Sequence, residues 1–342
     1  MPPVTREYRD GRPRLRGGFF FRSGFMVGAM NLPRALLLAV VLLSVPPALA
    51  CLWDSDTLKE ESIGLDEVAN VLRGKILKHS ATFYERKVAY TLPLLEQADV
   101  KPERYDDLAV AYEKLGRTQE AIATMEAKEK RFPGQYTTAA NLGTFHAHAG
   151  DYPRALEELR RALALNPDAH FGREKYQVKA IEYLQRLATT PELVQKEEFL
   201  GLPLEPDRYL FVMDPKSGSR RGRVELPKDV LQGLVGMIRF GSGEKSQHLW
   251  FSLGMSLAWS GHKNLAIRAM RRAELLGHPL AREHARELLR TIKAYAGRHS
   301  EWEKVGAELD AEWAKGQAWV QEKQRQEDAL LAKGKEKQVF GY

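Results

Sequence analysis

The residues that could do chemistry are few in this chain, and they fall into no known catalytic pattern. The sequence contains no GxxxxGK[ST], GxGxxG, HExxH or GxSxG pattern, so the signatures of phosphate loops, dinucleotide folds, zinc proteases and α/β-hydrolases are missing. The single cysteine, Cys51, excludes an intrachain disulfide and every metal or haem site that needs several thiolates. We therefore predict no catalytic residue and no cofactor.

Histidines are the remaining candidates for metal binding. His146 and His148 lie two residues apart on a predicted helix, so their side chains point about 200° away from each other. His146 also stands at a position where a large core residue is expected. His278 and His284 flank a predicted turn and helix start, and we assign them no role. The sequence predicts no metal site.

The positive charge of the chain is concentrated at its N-terminus. Residues 1–50 hold seven Arg and two acidic residues, a net of +5, whereas the whole chain carries +7. The rest of the chain is therefore almost balanced. Because a nucleic-acid-binding protein needs a basic surface on its folded part, this distribution argues against nucleic acid as a partner.

Residues 1–50 are predicted to be a leader. Residues 35–45 read ALLLAVVLLSV, with Arg34 before them and Ala48-Leu49-Ala50 after them. A basic flank, a short apolar core and a small-x-small site are typical of a secretory signal peptide. The apolar run is too short to cross a bilayer, which needs about 20 residues. A signal peptide that began at Met30 would have an ordinary length, and one that began at Met26 would be only slightly longer. We therefore predict that translation starts at Met30 or Met26.

Cys51 follows Ala50 directly, at the first position of the predicted mature chain. This is where a bacterial lipoprotein is acylated. Two interpretations stay open: a lipid anchor on Cys51, or a soluble exported protein whose thiol is free or paired between molecules. Both place the protein in the periplasm or cell envelope. Residues 51–64 are interpreted as an N-terminal tether.

The strongest pattern in the mature chain is an internal repeat. Residues 105–109 align with residues 139–143, an offset of 34. The same offset relates three further pairs: Gly116 with Gly150, Ala121 with Ala155, and Pro133 with Pro167. Each glycine is placed to end a first helix and each proline to stop a second helix. Small Ala109 or Gly143 on the first helix is expected to meet small Ala121 or Ala155 on the second.

This pattern resembles the tetratricopeptide repeat (TPR), whose 34 residues form two antiparallel helices. The clearest copy contains Asn141-Leu142-Gly143, Gly150-Asp151-Tyr152 and Ala155, and a further copy at 247–280 contains Leu253-Gly254, Gly261 and Ala266. The resemblance implies an all-α fold, a TPR-like helical-hairpin solenoid. Its array would span 65–189, with 65–100 as a worn repeat. A hairpin and a following helix would span 246–300.

Two regions depart from the repeat. Residues 190–245 are predicted to be a partly irregular insertion with a short strand at 209–213, a polar loop at 214–223 and a helix at 228–240. Residues 301–342 are predicted to be a long helix from Trp302 to about Lys333, followed by a tail. The apolar stripe of that helix is Trp302, Val305, Leu309 and Trp313. We expect it to cap the exposed apolar end of the array.

The resemblance also implies a binding groove. In the family, the first helices line a concave groove that holds an extended peptide or a partner helix. The matching positions here are Asp106, Val110, Glu113, Asn141, Thr144 and His148, and Lys175 lies where a third repeat can offer a cation. Asp106 and Val110 replace the Lys and Asn of members that clamp a C-terminal carboxylate, which argues against that clamp. We expect these side chains to be free for a ligand because the core does not need them.

The sequence thus predicts a non-enzymatic, exported TPR scaffold or adaptor that binds a protein or peptide partner in the bacterial cell envelope. Two alternatives remain. One is an enzyme-associated or catalytic role centred on the 190–245 insertion. The other is a structural envelope protein that associates with itself.

Overall fold

The computed structural model describes residues 65–167, 173–205, 226–240, 243–292, 297–298 and 301–340. Within these ranges every regular element is helical and no strand occurs. The leader, Cys51, the tether, the predicted strand at 209–213 and the loop at 214–223 lie outside the described residues. None of the described helices is long and apolar enough to cross a membrane.

Thirteen α-helices make up the described part of the chain, and most pack against the next helix in sequence. They are α1 (Asp66–Leu72), α2 (Ala81–Thr91), α3 (Glu103–Lys114), α4 (Thr118–Arg131), α5 (Tyr136–His148), α6 (Tyr152–Leu165), α7 (Arg173–Thr189), α8 (Val230–Phe240), α9 (Gln247–Trp259), α10 (Lys263–Leu275), α11 (Ala281–Thr291), α12 (Trp302–Leu331) and α13 (Glu336–Phe340). The consecutive packed pairs confirm the prediction of an all-α, TPR-like solenoid.

Three helix pairs have the hairpin geometry that the repeat predicts: α3 with α4, α5 with α6, and α9 with α10. In each pair the first helix ends at a glycine in the left-handed region. The φ angles are 75° at Gly116, 80° at Gly150 and 89° at Gly261. Residues other than glycine rarely adopt this conformation, so the glycines fix the tight turn between the two helices.

The two helices of each hairpin approach closely at one position. A Cβ atom added to Gly143 would lie 2.6 Å from Cγ of Leu159, and one added to Gly254 would lie 2.9 Å from Cε of Met270. The added Cβ on Gly143 would also lie 3.1 Å from the backbone nitrogen of Leu159, so the helices approach closely there, with the large Leu159 nearest. A contact of Gly143 with small Ala155 stays a prediction. A small residue on the first helix makes room for a large residue on the second, which excludes voids from the pair.

The helix α8 pairs with α7, although the sequence assigned it to the insertion. Gly233 of α8 lies directly against the ring of Tyr176 of α7, where an added Cβ would be 2.4 Å from Cδ2. The predicted helix at 228–240 is confirmed, and it continues the stacking of the array. Because α7 and α8 form a pair, the insertion is the segment that connects the two helices of that pair.

The helix α1 belongs to the C-terminal half of the protein. Its apolar residues Val68, Val71 and Leu72 are buried in a core that α8, α9 and α10 also build, and α1 contacts α8 and α10. The helix α2 instead packs on α3. Residues 65–100 therefore do not form one worn repeat, because their two helices lie in different cores.

The helix α12 joins the two ends of the described chain. Its first half buries Trp302, Val305 and Leu309 in the C-terminal core, the position expected of a capping helix. Its second half runs along residues 73–80, where Gln324 Nε2 donates to the carbonyl of Lys78 at 3.0 Å. The short helix α13 then places Phe340 edge-on against Phe83 of α2, with 5.2 Å between ring centroids. The sequence did not predict this return to the N-terminal helices.

Candidate peptide-binding groove

The seven predicted groove residues lie on α3, α5 and α7, the successive first helices of the array. Hydrogen bonds link these helices in a row. Asn141 Nδ2 donates to Asp106 Oδ1 at 3.1 Å, and Gln177 Nε2 donates to Thr144 Oγ1 at 3.1 Å. Each bond joins residues of adjacent first helices, so the row results from the regular stacking of these helices.

Asp106 is held by a buried lysine. Nζ of Lys128 lies 2.7 Å from Oδ1 and 2.6 Å from Oδ2 of Asp106, and the lysine side chain is 0% exposed. Thr137 also donates to this carboxylate, at 3.2 Å. Burial raises the pKa of Asp106, and the hydrogen bonds from Lys128, Thr137 and Asn141 oppose that shift. Asp106 and Asn141 are therefore engaged within the protein, and their role in binding a ligand stays a prediction.

Glu113 and His148 form the next contact along the row, with 2.6 Å between Oε1 and Nδ1. The second carboxylate oxygen, Oε2 of Glu113, is buried and accepts no hydrogen bond from any described residue. A buried carboxylate oxygen without a donor is costly, and a hydrogen-bond donor from a ligand would satisfy it. Val110, on the same helix as Glu113, is half-buried and packs against the core of the first repeat.

The end of α8 reaches the same part of α3. Lys114 Nζ donates to the carbonyl of Phe240 at 2.9 Å. Burial lowers the pKa of Lys114, while the nearby carboxylates Glu244 and Glu113 raise it. The ring of Phe240 is 57% exposed, which is high for a large apolar residue. Phe240 is thus an exposed apolar residue whose backbone carbonyl reaches Lys114, and the sequence did not single it out because its position depends on how α8 packs.

Lys175 is paired within the protein. Its Nζ atom binds Asp229, the residue before α8, and Tyr176 donates its hydroxyl to the same carboxylate at 2.8 Å. Although burial opposes ionisation, the hydrogen bonds from Lys175 and Tyr176 lower the pKa of Asp229. The predicted free cation at the far end of the groove is therefore neutralised by its own ion pair.

Comparison with known proteins agrees with this helical geometry. A family model described as tetratricopeptide repeat matches residues 102–127. Residues 102–127 are therefore similar to a tetratricopeptide repeat. The matched residues cover α3 and most of α4, which hold Asp106, Val110 and Glu113.

The solved structure entitled "MamA RS-1 ArsTM double mutant" is 16% identical to this chain, and the alignment covers 64% of this chain and 94% of that one with a TM-score of 0.27. A search of curated proteins found no match to this sequence.

Outside the TPR groove, a cluster of histidines surrounds Phe251. The ring of His278 stacks on Phe251 at 3.9 Å, and His284 approaches the same ring edge-on at 5.1 Å. Burial lowers the pKa of His278 to about 3 and that of His284 to about 4. These imidazoles are neutral and act as packing groups. No group of His, Cys, Asp and Glu side chains among the described residues could hold a metal ion.

His146 is also a packing residue, as predicted, with 7% of its surface exposed. Glu198, in the insertion, is one of two buried acids among the described residues, with Glu174. One of its oxygens accepts the backbone N–H of Leu202 at 2.7 Å, and the other accepts the hydroxyl of Ser252 on α9. Both oxygens are engaged, so Glu198 anchors the insertion to the TPR-like array. Burial raises the pKa of Glu198.

Proposed function

We propose that this protein is an exported, non-enzymatic TPR scaffold or adaptor that binds a protein or peptide segment of the cell envelope. The binding surface is the concave row on α3, α5 and α7. The observation that carries the proposal is the set of partly exposed polar side chains that links successive first helices of a TPR-like array. Scaffold function is typical of such arrays, whose extended inner surfaces hold extended partners.

Several groups in the row keep the capacity to bind. The side chain of His148 is 27% exposed, and Oε2 of Glu113 lacks a donor among the described residues. Phe240, whose carbonyl binds Lys114 of the same helix end, adds exposed apolar surface. A backbone N–H or a basic side chain of the partner would satisfy Glu113, and an apolar partner side chain would cover Phe240. We expect a segment that carries these two features close together.

The ion pairs change the expected charge of the groove. Lys128 neutralises Asp106, and Asp229 neutralises Lys175. These pairs do not favour a partner with basic residues at one end and acidic residues at the other. Recognition at the Glu113 end is favoured, and its dependence on salt should be modest because its charges are partly buried.

Export and anchoring are also part of the proposal. The signal-like leader and the position of Cys51 support a mature chain that begins at Cys51. The intact mass of the protein recovered from its own envelope tests this, and a diacylglycerol adduct would establish lipidation. Cys51→Ser should then release the protein from membranes. A soluble protein with an unmodified Cys51 would leave the export proposal intact and remove the anchor.

The groove is tested by capture of partners from the envelope with a double variant, Thr144→Arg and His148→Ala. The arginine projects from the middle of the row and blocks it. The matched control changes two exposed residues on the second helices, Lys130→Glu and Glu157→Lys. We expect captured partners to fall at least about tenfold with the groove variant and to stay unchanged with the control. Equal capture by the two variants, with helicity confirmed by circular dichroism, would move the site elsewhere, first to the insertion.

A further inference from the structure

The segment between α1 and α2 lies extended along the outer face of α12. Gln317 Nε2 donates to the carbonyl of Gly74 at 2.6 Å, and Gln324 donates to that of Lys78. Burial alternates along the segment. Ile76 is 1% exposed, whereas Lys75 and Leu77 on either side of it are exposed. Lys75 and Leu77 therefore share the outward side of the segment.

The neighbouring edge of α12 presents a matching row. Lys315, Trp319 and Lys323 are four residues apart, so they lie on one side of the helix, and all three are exposed. The Nζ atoms of Lys75 and Lys323 lie 5.7 Å and 5.8 Å from the centroid of the Trp319 ring. The row and the segment thus form one surface, which we call the lysine–tryptophan patch: Lys75, Leu77, Lys315, Trp319 and Lys323.

The patch exposes unusually large apolar groups among cations. Leu77 is 50% exposed and Trp319 is 40% exposed, and both belong to the few large apolar residues exposed among the described residues. The lysines of the patch form no ion pair with any described residue. Two acids on this part of α12 bind other residues: Glu322 is ion-paired with Arg325 at 2.7 Å, and Glu327, which continues the row, contacts His79 at 2.7 Å. The patch is therefore both apolar and positively charged.

We propose that the lysine–tryptophan patch docks the protein on an anionic lipid surface. Tryptophan is enriched at the boundary between lipid tails and headgroups, because its ring is apolar and its N–H is polar. Lysines beside it can lay their stems on the apolar surface and hold their ammonium groups against lipid phosphates. An acidic peptide would match the lysines but would leave Leu77 and Trp319 exposed, so the lipid surface fits the whole patch better.

In sequence, the patch begins near the start of the described chain. Lys75 follows the start of the described chain at Leu65 by ten residues. Residues 51–64 separate Cys51 from Leu65, and about 14 residues span at most about 50 Å. An acyl chain on Cys51 would therefore keep the patch near the membrane. This proximity holds only if Cys51 is acylated, as proposed above, whereas the charge complementarity holds without it.

The test is sedimentation with lipid vesicles of the chain from Cys51 with Cys51→Ser, which has no acyl chain. All described contacts lie within residues 65–340, so this chain keeps the whole described core. Vesicles contain phosphatidylcholine alone or with 30% phosphatidylglycerol. We expect binding only to the anionic vesicles, and loss of binding at high salt. Because each lysine contributes about fivefold to partitioning, Lys75→Gln with Lys323→Gln should weaken binding by at least about tenfold.

The matched control is Lys101→Gln with Lys130→Gln, which removes two exposed lysines from the array and should bind like the parent chain. Brominated lipids should quench tryptophan fluorescence of the parent, and Trp319→Phe should lose most of that quenching. Equal binding to neutral vesicles, or equal loss in the patch and control variants, would overturn the proposal. So would binding to a polyglutamate peptide without binding to vesicles, which would assign the patch to an acidic protein. The groove variant should bind vesicles normally, which separates this proposal from partner binding.

Discussion

Lys128 and Asp106 form a two-point ion pair inside the first repeat, with the Nζ atom of Lys128 2.7 Å and 2.6 Å from the two carboxylate oxygens. The lysine is fully buried, and the carboxylate is 22% exposed. One repeat later, 34 positions on, the same two places hold Ala140 and Ala162, which are buried in one small apolar cluster. The same space between helices is thus filled by a charged pair in one repeat and by two alanines in the next.

This relationship predicts strong coupling between the two charges. We expect Lys128→Ala or Asp106→Ala alone to lower the free energy of unfolding by about 3 kcal/mol, because each leaves a largely buried charge without its partner. The double variant, which copies the next repeat, should cost clearly less than the sum of the two. Urea unfolding of all four proteins in a double-mutant cycle measures the coupling. Additive costs would mean that the pair contributes no mutual stabilisation.

Gly143→Leu should lower the free energy of unfolding by roughly 1–3 kcal/mol or more, since a Cβ alone would overlap the side chain of Leu159. Asn141→Ala removes one hydrogen bond to Asp106 and should cost about 0.5–1.5 kcal/mol. Thermal melts give the ranking. The matched rescue is Gly143→Ala with Leu159→Met, the pair that Ala109 and Met125 form in the first repeat. If Leu159→Met restores no thermal stability to Gly143→Ala, the close approach at Leu159 is not the cause of the destabilisation.

The free energy of unfolding should fall as the pH falls, because two histidines are buried. Burial lowers the pKa of His278 to about 3 and of His284 to about 4, from an ordinary value of 6.5. Below pH 6.5 the unfolded chain therefore binds protons that the folded protein does not. The full stability is present above pH 6.5 and is lost progressively as the pH falls towards 4. Each histidine should lower the free energy of unfolding by about 2 kcal/mol between pH 7 and pH 5.

A double variant, His278→Asn and His284→Gln, checks this dependence. The variant is expected to be less stable at pH 7 because these side chains pack on Phe251. The informative quantity is the change in the free energy of unfolding between pH 7 and pH 5, which should be smaller than in the parent. An unchanged difference would show that other groups cause the acid sensitivity.

The contact of α13 with α2 should be measurable in solution. Phe340 packs edge-on against Phe83 and Tyr90, with ring centroids 5.2 Å and 5.6 Å apart. Phe340→Ala should lower the free energy of unfolding by about 1–2 kcal/mol and should speed hydrogen exchange of the amides in α2. Lys337→Ala, an exposed change on the same short helix, is the control and should do neither. Equal hydrogen-exchange rates of the α2 amides in the two variants would show that α13 does not pack on α2.

The repeat made much of the fold predictable. Its register anticipated the glycines that end α3 and α5 and the ends of α4 and α6 before Pro133 and Pro167. Helical periodicity, and not the repeat, predicted the apolar stripe of α12. These features are local, because a left-handed turn or a helix stop depends on the residue at that position. The same alignment could have predicted that Asp106 and Lys128 lie close together, since two alanines replace them one repeat later.

The hydrogen-bond partners of the groove side chains could not be predicted from the repeat register. The resemblance places Asp106, Asn141 and Lys175 in the groove. Lys128 of α4 and Asn141 both donate to Asp106, and Lys175 pairs with Asp229, the residue before α8. A position on a helix face predicts the direction of a side chain. It does not predict which long side chain from another helix will reach it.

By itself, the sequence determined the helical class, the period of the repeats and the turns between their helices, because these depend on residues close together in the chain. Only the tertiary structure decided that α1 packs in the C-terminal core, that α8 completes a pair with α7, and that α12 runs along residues 73–80. These contacts join residues up to 248 positions apart, as in the bond of Ser80 to Asp328. Their formation depends on which apolar faces remain uncovered after the local hairpins have formed, a property of the whole chain and not of any segment.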